Sequence, residues 1–212
     1  MAEVKICGLT TPEGVDAALA GGARYIGFVV HAKSPRLIAA EAALPLVERA
    51  RGRAEIVLVV TDTPLSQLRA HCETLKPDWI QAHGSESPAQ MEALRPLARR
   101  GVIKAIGIAR SDDFAAVASF AGVADMLMFD AKPPPTAERT GGHGHAFDWT
   151  LLKGRVFSRP WFLSGGLTPG NVAEAIALSG ASLVDVSSGV ESAPGLKDAA
   201  RIAAFLAAAK AA

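Results

Sequence analysis

The stretch VKICGLTTPEGVDAALAGGARYIGFVV, residues 4–30, contains a strand, a helix and a second strand in short succession. The run VKIC at its start is apolar enough for a buried strand, and the run YIGFVV at its end repeats that character. Between them, Thr10 and Thr11 can cap the start of a helix, and the pair Gly21 and Gly22 can end it. A strand, a helix and a strand in this order are typical of a parallel βαβ unit.

The same alternation continues to the end of the chain. Strand-like stretches lie at 4–7, 25–30, 55–60, 78–84, 102–108, 125–130, 161–166 and 182–189. Helix-like stretches follow at 11–23, 39–51, 63–75, 87–100, 111–121, 168–180 and 196–210, whereas only a short helix at 147–154 follows the sixth strand. The chain therefore contains eight candidate βα units.

The strand-like stretches are near-continuous in Val, Ile, Leu and Phe. This composition is typical of strands that are covered on both faces in a parallel sheet. Eight such units predict an α/β fold, a (β/α)8 TIM barrel of eight parallel strands that forms a single domain over residues 1–212. A doubly wound open sheet is the alternative, and the count of eight with a long final helix favours the barrel.

The overall composition argues against several classes of protein. The 212-residue chain is 50% hydrophobic, and its 22 Lys and Arg residues balance 21 Asp and Glu residues. This balance argues against partners such as nucleic acid or a membrane surface, and no apolar run is long enough to span a membrane. We expect no secretory signal before the first strand. Because the two cysteines also lie far apart, we expect a cytoplasmic protein with free thiols.

Cys7 stands where the first strand ends, and a barrel places its active site at that end of its strands. Side chains alternate along a strand, so Lys5 and Cys7 share one face while Val4 and Ile6 share the other. The apolar pair should face the helices, which turns Lys5 and Cys7 into the barrel. Because a nearby ammonium group favours the thiolate, the sequence predicts that Lys5 lowers the pKa of Cys7. Burial as a small apolar residue is the alternative role.

Polar residues and glycines also end the later strands. Asp130 follows an apolar run, where its carboxyl group could serve as a general acid or as a cap. The motifs GGHG at 141–144, SGG at 164–166 and SSG at 187–189 follow strands six, seven and eight. Bare backbone N–H groups hold anions, and the loops after strands seven and eight of a barrel recurrently bind phosphate. The cluster predicts a phosphate site, with ordinary turns as the alternative.

The remaining reactive side chains give weaker signals. Cys72 lies within a helix-like stretch and is assigned no role. The pair His143 and His145 has no evident third ligand nearby, so a polar loop is favoured over a metal site. The segment 133–135 and the polar residues after it are typical either of a mobile flap or of a disordered insertion.

Taken together, several motifs resemble those of one enzyme family. They are KICGLT, SPR, QAHG, FDA, GGHGHAFDW, FLSGGLTPGNV, VDVSSGVE and GLKD, spread over nearly the whole chain. In order and position they resemble the phosphoribosylanthranilate isomerase family, the barrel enzymes of tryptophan biosynthesis. The resemblance implies an Amadori rearrangement of N-(5-phosphoribosyl)anthranilate to 1-(2-carboxyphenylamino)-1-deoxyribulose 5-phosphate, with no cofactor and no metal.

The resemblance also implies roles for individual residues. Asp130 would be the general acid that protonates the furanose ring oxygen, and Cys7 would be the general base that removes the C2′ proton. Arg36 would hold the anthranilate carboxylate through a bidentate pair, and His83 would line the anthranilate side. The further substrate-binding residues, chiefly in the phosphate loops, would be Gly142, Gly165, Gly166, Asp185, Ser188 and Gly189. The partner would be this small phosphorylated molecule, bound by a monomer or a homodimer.

Three other kinds of protein would share parts of this pattern. A sugar isomerase of histidine biosynthesis resembles the family in fold and chemistry but uses aspartates at both strand ends, so Cys7 argues against it and against a dual-substrate enzyme. A non-catalytic protein that binds a phosphorylated ligand on a barrel would need the glycine loops but neither Cys7 nor Asp130. Turnover of the substrate, as opposed to mere binding, would distinguish this last class.

Overall fold

The computed structural model describes residues 1–31, 34–132 and 146–212. Its eight main strands form a closed barrel in which each strand pairs in parallel with its neighbours in chain order. The first strand pairs in parallel with both the second and the eighth, which closes the sheet. The parallel (β/α)8 barrel predicted from the sequence is confirmed, and the open-sheet alternative is wrong.

The strands follow one another at short, regular intervals along the chain. The barrel strands are β1 (Glu3–Cys7), β2 (Tyr25–Val29), β3 (Glu55–Val60), β4 (Trp79–Ala82), β5 (Gly101–Ile108), β6 (Met126–Ala131), β7 (Trp161–Leu163) and β8 (Leu183–Val186). The α-helices of the described residues are α1 (Pro12–Ala20), α2 (Ala40–Ala50), α3 (Leu65–Leu75), α4 (Pro88–Leu94), α5 (Val117–Phe120), α6 (Val172–Ser179) and α7 (Ala199–Ala211).

The strands are buried on both faces, and every residue of β2 and β3 is buried. Alternate side chains along each strand belong to two different apolar clusters. One cluster lies between the sheet and the helices and includes Ile26, Leu58 and Phe129. The other fills the barrel interior and includes Val57 and Met128. Because both layers need apolar side chains, the strands have the continuous hydrophobic composition from which they were predicted.

The fifth and sixth units differ from the regular pattern. In place of the helix predicted over 111–121, Ser111–Ala116 forms a 3₁₀ helix and α5 adds only four residues. The carboxylate of Asp113 accepts hydrogen bonds from two backbone N–H groups that precede it, which holds this start in a tight turn. After β6, the short helix predicted over 147–154 is a single 3₁₀ segment at Trp149–Leu152.

The segment after β8 is a small hairpin that the sequence did not predict. Its two antiparallel strands are β9 (Glu191–Ala193) and β10 (Leu196–Lys197), and Gly195 between them has a φ of 82°. The helix predicted over 196–210 therefore begins later, at α7. Its N-cap is Asp198, whose side chain accepts a hydrogen bond from the backbone N–H three residues on. The hairpin brings Glu191 and Lys197 to the barrel mouth, where they contact Arg36 and Ser187.

The start and end of α1 agree with the sequence prediction. The Thr11 hydroxyl accepts a hydrogen bond from the N–H of Gly14, and Gly21 is the C-cap. Over the described ranges, no helix combines the length and the apolar character needed to cross a membrane. Gly142, the proline segment 133–135 and the HGH pair lie outside the described residues, so the predictions made for them stay predictions.

Candidate active site

One pocket opens at the carboxyl ends of the barrel strands, where a barrel places its active site. The predicted site residues on its wall are Cys7, Arg36, His83, Asp130, Gly165, Gly166, Asp185 and Ser188. Gly189 follows directly after Ser188 in the same loop. The fold thus gathers residues that lie up to about 180 positions apart in the chain into one concave surface.

Lys5 and Cys7 point into the barrel, as the alternation along β1 predicts. Lys5 is completely buried, and its Nζ donates to Oδ1 of Asp185 on β8 at 2.7 Å. The other carboxylate oxygen, Oδ2, accepts from the Ser164 hydroxyl at 3.0 Å. Both oxygens of Asp185 are therefore paired within the protein. This arrangement indicates that Asp185 holds Lys5 in place beneath the thiol.

The prediction that Lys5 lowers the pKa of Cys7 is wrong in its net direction. Burial raises the pKa of the Cys7 thiol, and the positive charge of Lys5, which acts the other way, does not outweigh it. For Lys5, burial alone would lower the pKa, but Asp185 and the nearby Cys7 outweigh burial and raise it. Lys5 is thus charged, while the ligand-free thiol is held in its protonated form near neutral pH.

Asp130 at the end of β6 is part of a chain of side chains inside the pocket. Its Oδ2 lies 3.0 Å from Nε2 of His83, and its Oδ1 accepts from the N–H of Ala131 at 2.9 Å. The other ring nitrogen of His83, Nδ1, lies 2.8 Å from Nε2 of Gln81. The sequence prediction named His83 as a lining residue only, and its contact with Asp130 is new information from the structure.

Arg36 is held by an ion pair that the sequence did not reveal. Its Nε and Nη2 donate to the two carboxylate oxygens of Glu191 at 2.6 and 2.9 Å, so this pair is bidentate and buried. Lys197 donates to the same carboxylate at 2.6 Å and also to the carbonyl oxygen of Ser187 at 2.9 Å. Burial would raise the pKa of Glu191, but Arg36 and Lys197 outweigh it and lower the pKa, so this carboxylate is charged.

The glycines of the loops after β7 and β8 allow close backbone packing. Gly165 and Gly166 have φ values of 88° and 68°, a conformation that favours glycine. A Cβ atom on Gly189 would collide with the backbone carbonyl oxygen of Leu167. The two loops therefore lie directly against each other at the pocket wall, as expected for an anion site that is built from backbone groups.

The other free cysteine lies away from this pocket. Cys72 is buried on α3, where burial raises its pKa to about 11. Within the described ranges, no three His, Cys, Asp or Glu side chains come close enough together to hold a metal ion. Cys72 is therefore not part of the candidate active site.

A closed barrel that gathers a thiol, a carboxyl group and glycine-rich loops at its mouth is the architecture of a (β/α)8-barrel enzyme. The model of the N-(5′-phosphoribosyl)anthranilate (PRA) isomerase family matches residues 4–208. The chain belongs to this family, which confirms the resemblance seen in its motifs.

Individual relatives are similar over nearly their whole length. An N-(5′-phosphoribosyl)anthranilate isomerase of Caulobacter vibrioides is 52% identical over 210 residues, which are 97% of this chain and 94% of the relative. The crystal structure of phosphoribosyl anthranilate isomerase from Thermotoga maritima has a TM-score of 0.87, is 34% identical and is matched over 100% of both chains. Another solved phosphoribosyl anthranilate isomerase, with a TM-score of 0.83, 32% identity and 100% coverage of both chains, is in complex with reduced 1-(o-carboxyphenylamino)-1-deoxyribulose 5-phosphate.

Proposed function

We propose that this chain, as a single barrel domain over residues 1–212, catalyses the Amadori rearrangement of N-(5-phosphoribosyl)anthranilate to 1-(2-carboxyphenylamino)-1-deoxyribulose 5-phosphate. The observation that carries the proposal is that Cys7 on β1 and Asp130 on β6 face the same pocket. The rearrangement needs an acid at the ring oxygen and a base at C2′, and these two side chains can supply both.

In the first step, Asp130 gives its proton to the furanose ring oxygen. The bond between C1′ and that oxygen breaks while the nitrogen lone pair forms the C1′=N bond of a Schiff base. Asp130 is left as a carboxylate, which accepts hydrogen bonds from the Ala131 N–H on Oδ1 and from His83 on Oδ2. These two hydrogen bonds stabilise the negative charge that this step creates.

In the second step, the thiolate of Cys7 takes the proton from C2′. The electrons of the C2′–H bond form the C1′=C2′ double bond of an enolamine while the C1′=N electrons return to the nitrogen. C1′ then takes up a proton and the C2′ hydroxyl group loses one, which gives the ketone. Since burial raises the pKa of the free thiol, positive charge is needed to stabilise the thiolate. Lys5 and Lys197 both act in that direction, and the cationic nitrogen of the Schiff base adds to them once the ring has opened.

Arg36 holds the anthranilate carboxylate with the edge of its guanidinium group that Glu191 leaves open. Glu191 occupies Nε and one N–H of Nη2, and among the described residues no group pairs with Nη1. A guanidinium group offers a second bidentate edge through Nη1 and the remaining N–H of Nη2. Glu191 and Lys197 thus orient Arg36 toward the substrate.

Replacing Arg36 with methionine should weaken substrate binding more than it slows the chemical steps. Loss of a charge-assisted pair costs about 1.5–3 kcal/mol, which corresponds to a rise of roughly 10- to 100-fold in KM. Steady-state kinetics of the purified variant would measure this change. Arg49→Met is the matched control, because Arg49 pairs with Asp16 on the protein surface and should leave KM unchanged.

Arg36 also stabilises the fold through Glu191, so the melting temperature of the Arg36→Met variant has to be recorded together with the kinetics. Lys197 still pairs with Glu191 in that variant, which limits the loss of stability. An unchanged KM with a reduced kcat, in protein that remains folded, would show that Arg36 is not the carboxylate anchor.

The loops after β7 and β8 bind the phosphate group through backbone N–H groups. Gly189→Ala should therefore raise KM by about 10- to 10²-fold, since the new methyl group forces the Leu167 backbone away and displaces the site. Competition by inorganic phosphate, followed by the inhibition constant, measures the same contact without the rest of the substrate. Gly122→Ala is the control because nothing lies within 4 Å of the added methyl group there. Equal phosphate affinity in both variants would remove these loops from the phosphate site.

Consumption of phosphoribosylanthranilate by the purified chain, followed by its fluorescence, tests the proposed function. Turnover at a catalytic concentration of protein supports the enzyme. Stoichiometric binding without turnover would instead support the non-catalytic binding protein. The cytoplasmic location, the absence of a cofactor and the choice between monomer and homodimer stay predictions, the last of which sedimentation analysis of the same sample would decide.

A further inference from the structure

Gln81 is a buried amide that no step of the proposed reaction uses. It lies on β4 with its side chain in the barrel interior, and the residue is only 1% exposed. Its Nε2 lies 2.8 Å from Nδ1 of His83, while its Oε1 is buried and has no hydrogen-bond partner among the described residues. A buried amide of which only one polar atom is paired is uncommon, and it points to a functional reason for the one contact that it makes.

The contact with Gln81 restricts the protonation of His83. In the orientation that the amide has in the structure, Nε2 faces Nδ1, and because an amide nitrogen is only a donor, Nδ1 is then an unprotonated acceptor. The imidazole then carries its single proton on Nε2, the atom that lies 3.0 Å from Oδ2 of Asp130. His83 therefore donates a hydrogen bond to Asp130 as a neutral ring, because a second proton on Nδ1 would face the N–H group of the amide.

The neutral state of His83 matters for the acid. A histidine beside a carboxyl group ordinarily tends to take up a second proton and form an ion pair, which would keep the carboxyl group ionised. The other titratable or charged side chains that line the pocket are Cys7, His31, Arg36 and Asp185. None of the hydrogen bonds among the described residues joins one of these four groups to the ring of His83.

We propose that Gln81 is a positioning residue that holds His83 as the neutral tautomer protonated on Nε2, so that Asp130 remains able to carry the acid proton. This inference rests on the proposed function, in which Asp130 is the general acid. The neutral N–H group still stabilises the carboxylate that forms when the proton is given away. Gln81 thus acts through His83 and does not touch the reacting atoms.

The ¹⁵N spectrum of the His83 ring in ligand-free protein at neutral pH tests the proposal directly. A His83→Asn variant identifies the His83 signals among those of the five histidines. We expect a protonated Nε2 and an unprotonated Nδ1 in the wild type. A proton on Nδ1 of the wild-type ring would overturn the proposal.

The variant Gln81→Glu places an acceptor where the donor was. We expect Nδ1 to gain a proton, His83 to become an imidazolium paired with Asp130, and kcat to fall by about 10²-fold with little change in KM, because an ionised Asp130 cannot act as a general acid. Gln67→Glu is the matched control, because it adds the same charge on the exposed surface of α3 and should change neither measurement. An imidazolium in Gln81→Glu with wild-type kcat would overturn the proposal.

Gln81→Met removes the donor without adding a charge and decides the question if Gln81→Glu does not fold. The proposal predicts that the ring signals of Gln81→Met become a mixture of tautomers and that kcat falls. An unchanged Nε2–H tautomer in this variant would show that Gln81 does not control it. The ring spectra require no substrate, so they test the tautomer of His83 independently of the reaction. A wild-type chain without turnover would contradict the proposed function, whereas a proton on Nδ1 would contradict the tautomer.

Discussion

Replacing Cys7 with serine should lower kcat by about 10²–10⁴-fold, the usual cost of losing a positioned base. A hydroxyl group is a far weaker base than a thiolate, so abstraction of the C2′ proton fails. Substrate should still bind, because the loops that hold its phosphate and the guanidinium group of Arg36 are unchanged. Steady-state fluorescence measures turnover, and calorimetric titration with a reduced product analogue measures binding. Near-normal turnover would remove Cys7 from the mechanism.

The second cysteine offers a matched control. Cys72→Ser changes the same atoms at a buried site on α3 and should leave kcat unchanged. Burial raises the pKa of both thiols, to about 11 for Cys72. The direction of the pKa shift therefore does not distinguish the two residues, whereas their positions do.

The raised pKa of Cys7 also sets a pH dependence. A thiol with a raised pKa is protonated at neutral pH and forms its thiolate only as the pH rises. Alkylation of Cys7 by a small neutral reagent in the ligand-free enzyme should therefore accelerate steadily from neutral to alkaline pH. A rate that is already constant at neutral pH would show that the thiolate is present before substrate binds.

Asp130→Asn should lower kcat by a similar factor of about 10²–10⁴, because an amide keeps the shape of the carboxyl group but cannot give a carboxylic proton to the ring oxygen. Ring opening then becomes the slow step. The fluorescence assay measures the loss, and Asp112→Asn is the control, since Asp112 lies on the surface in an exposed pair with Arg110. Wild-type kcat in Asp130→Asn would exclude this carboxyl group as the acid.

The barrel could be predicted from the sequence because each strand must be apolar on two faces. The layers inside and outside the sheet both draw on β2 and β3, and that demand is visible as unbroken hydrophobic runs. The fifth helix and the start of the seventh were predicted less well. Where these two helical segments begin depends on Asp113 and Asp198, whose side chains accept hydrogen bonds from particular backbone N–H groups. The periodicity of apolar residues does not reveal such hydrogen bonds.

The positions of Cys7 and Asp130 could be predicted because parallel strands end at one rim of a barrel. The partners of Arg36 could not, since Glu191 and Lys197 reach it only through an unpredicted hairpin after β8. The direction of the Cys7 pKa shift could not be predicted either, because it depends on how deeply the thiol is buried. Lys5 precedes Cys7 by only two residues, but the closed barrel determines whether its charge or the burial has the larger effect on the pKa.

The central claim is that Asp130 opens the ring and Cys7 removes the C2′ proton, and a deuterium label at C2′ tests it most directly. The isotope effect on kcat/KM with substrate deuterated at C2′ would be measured for the wild type, Cys7→Ser and Asp130→Asn. We predict a larger effect in Cys7→Ser, where breakage of the C2′–H bond limits the rate, and an effect close to one in Asp130→Asn, where ring opening limits it. Equal isotope effects in the two variants, or a larger one in Asp130→Asn, would contradict this division of roles.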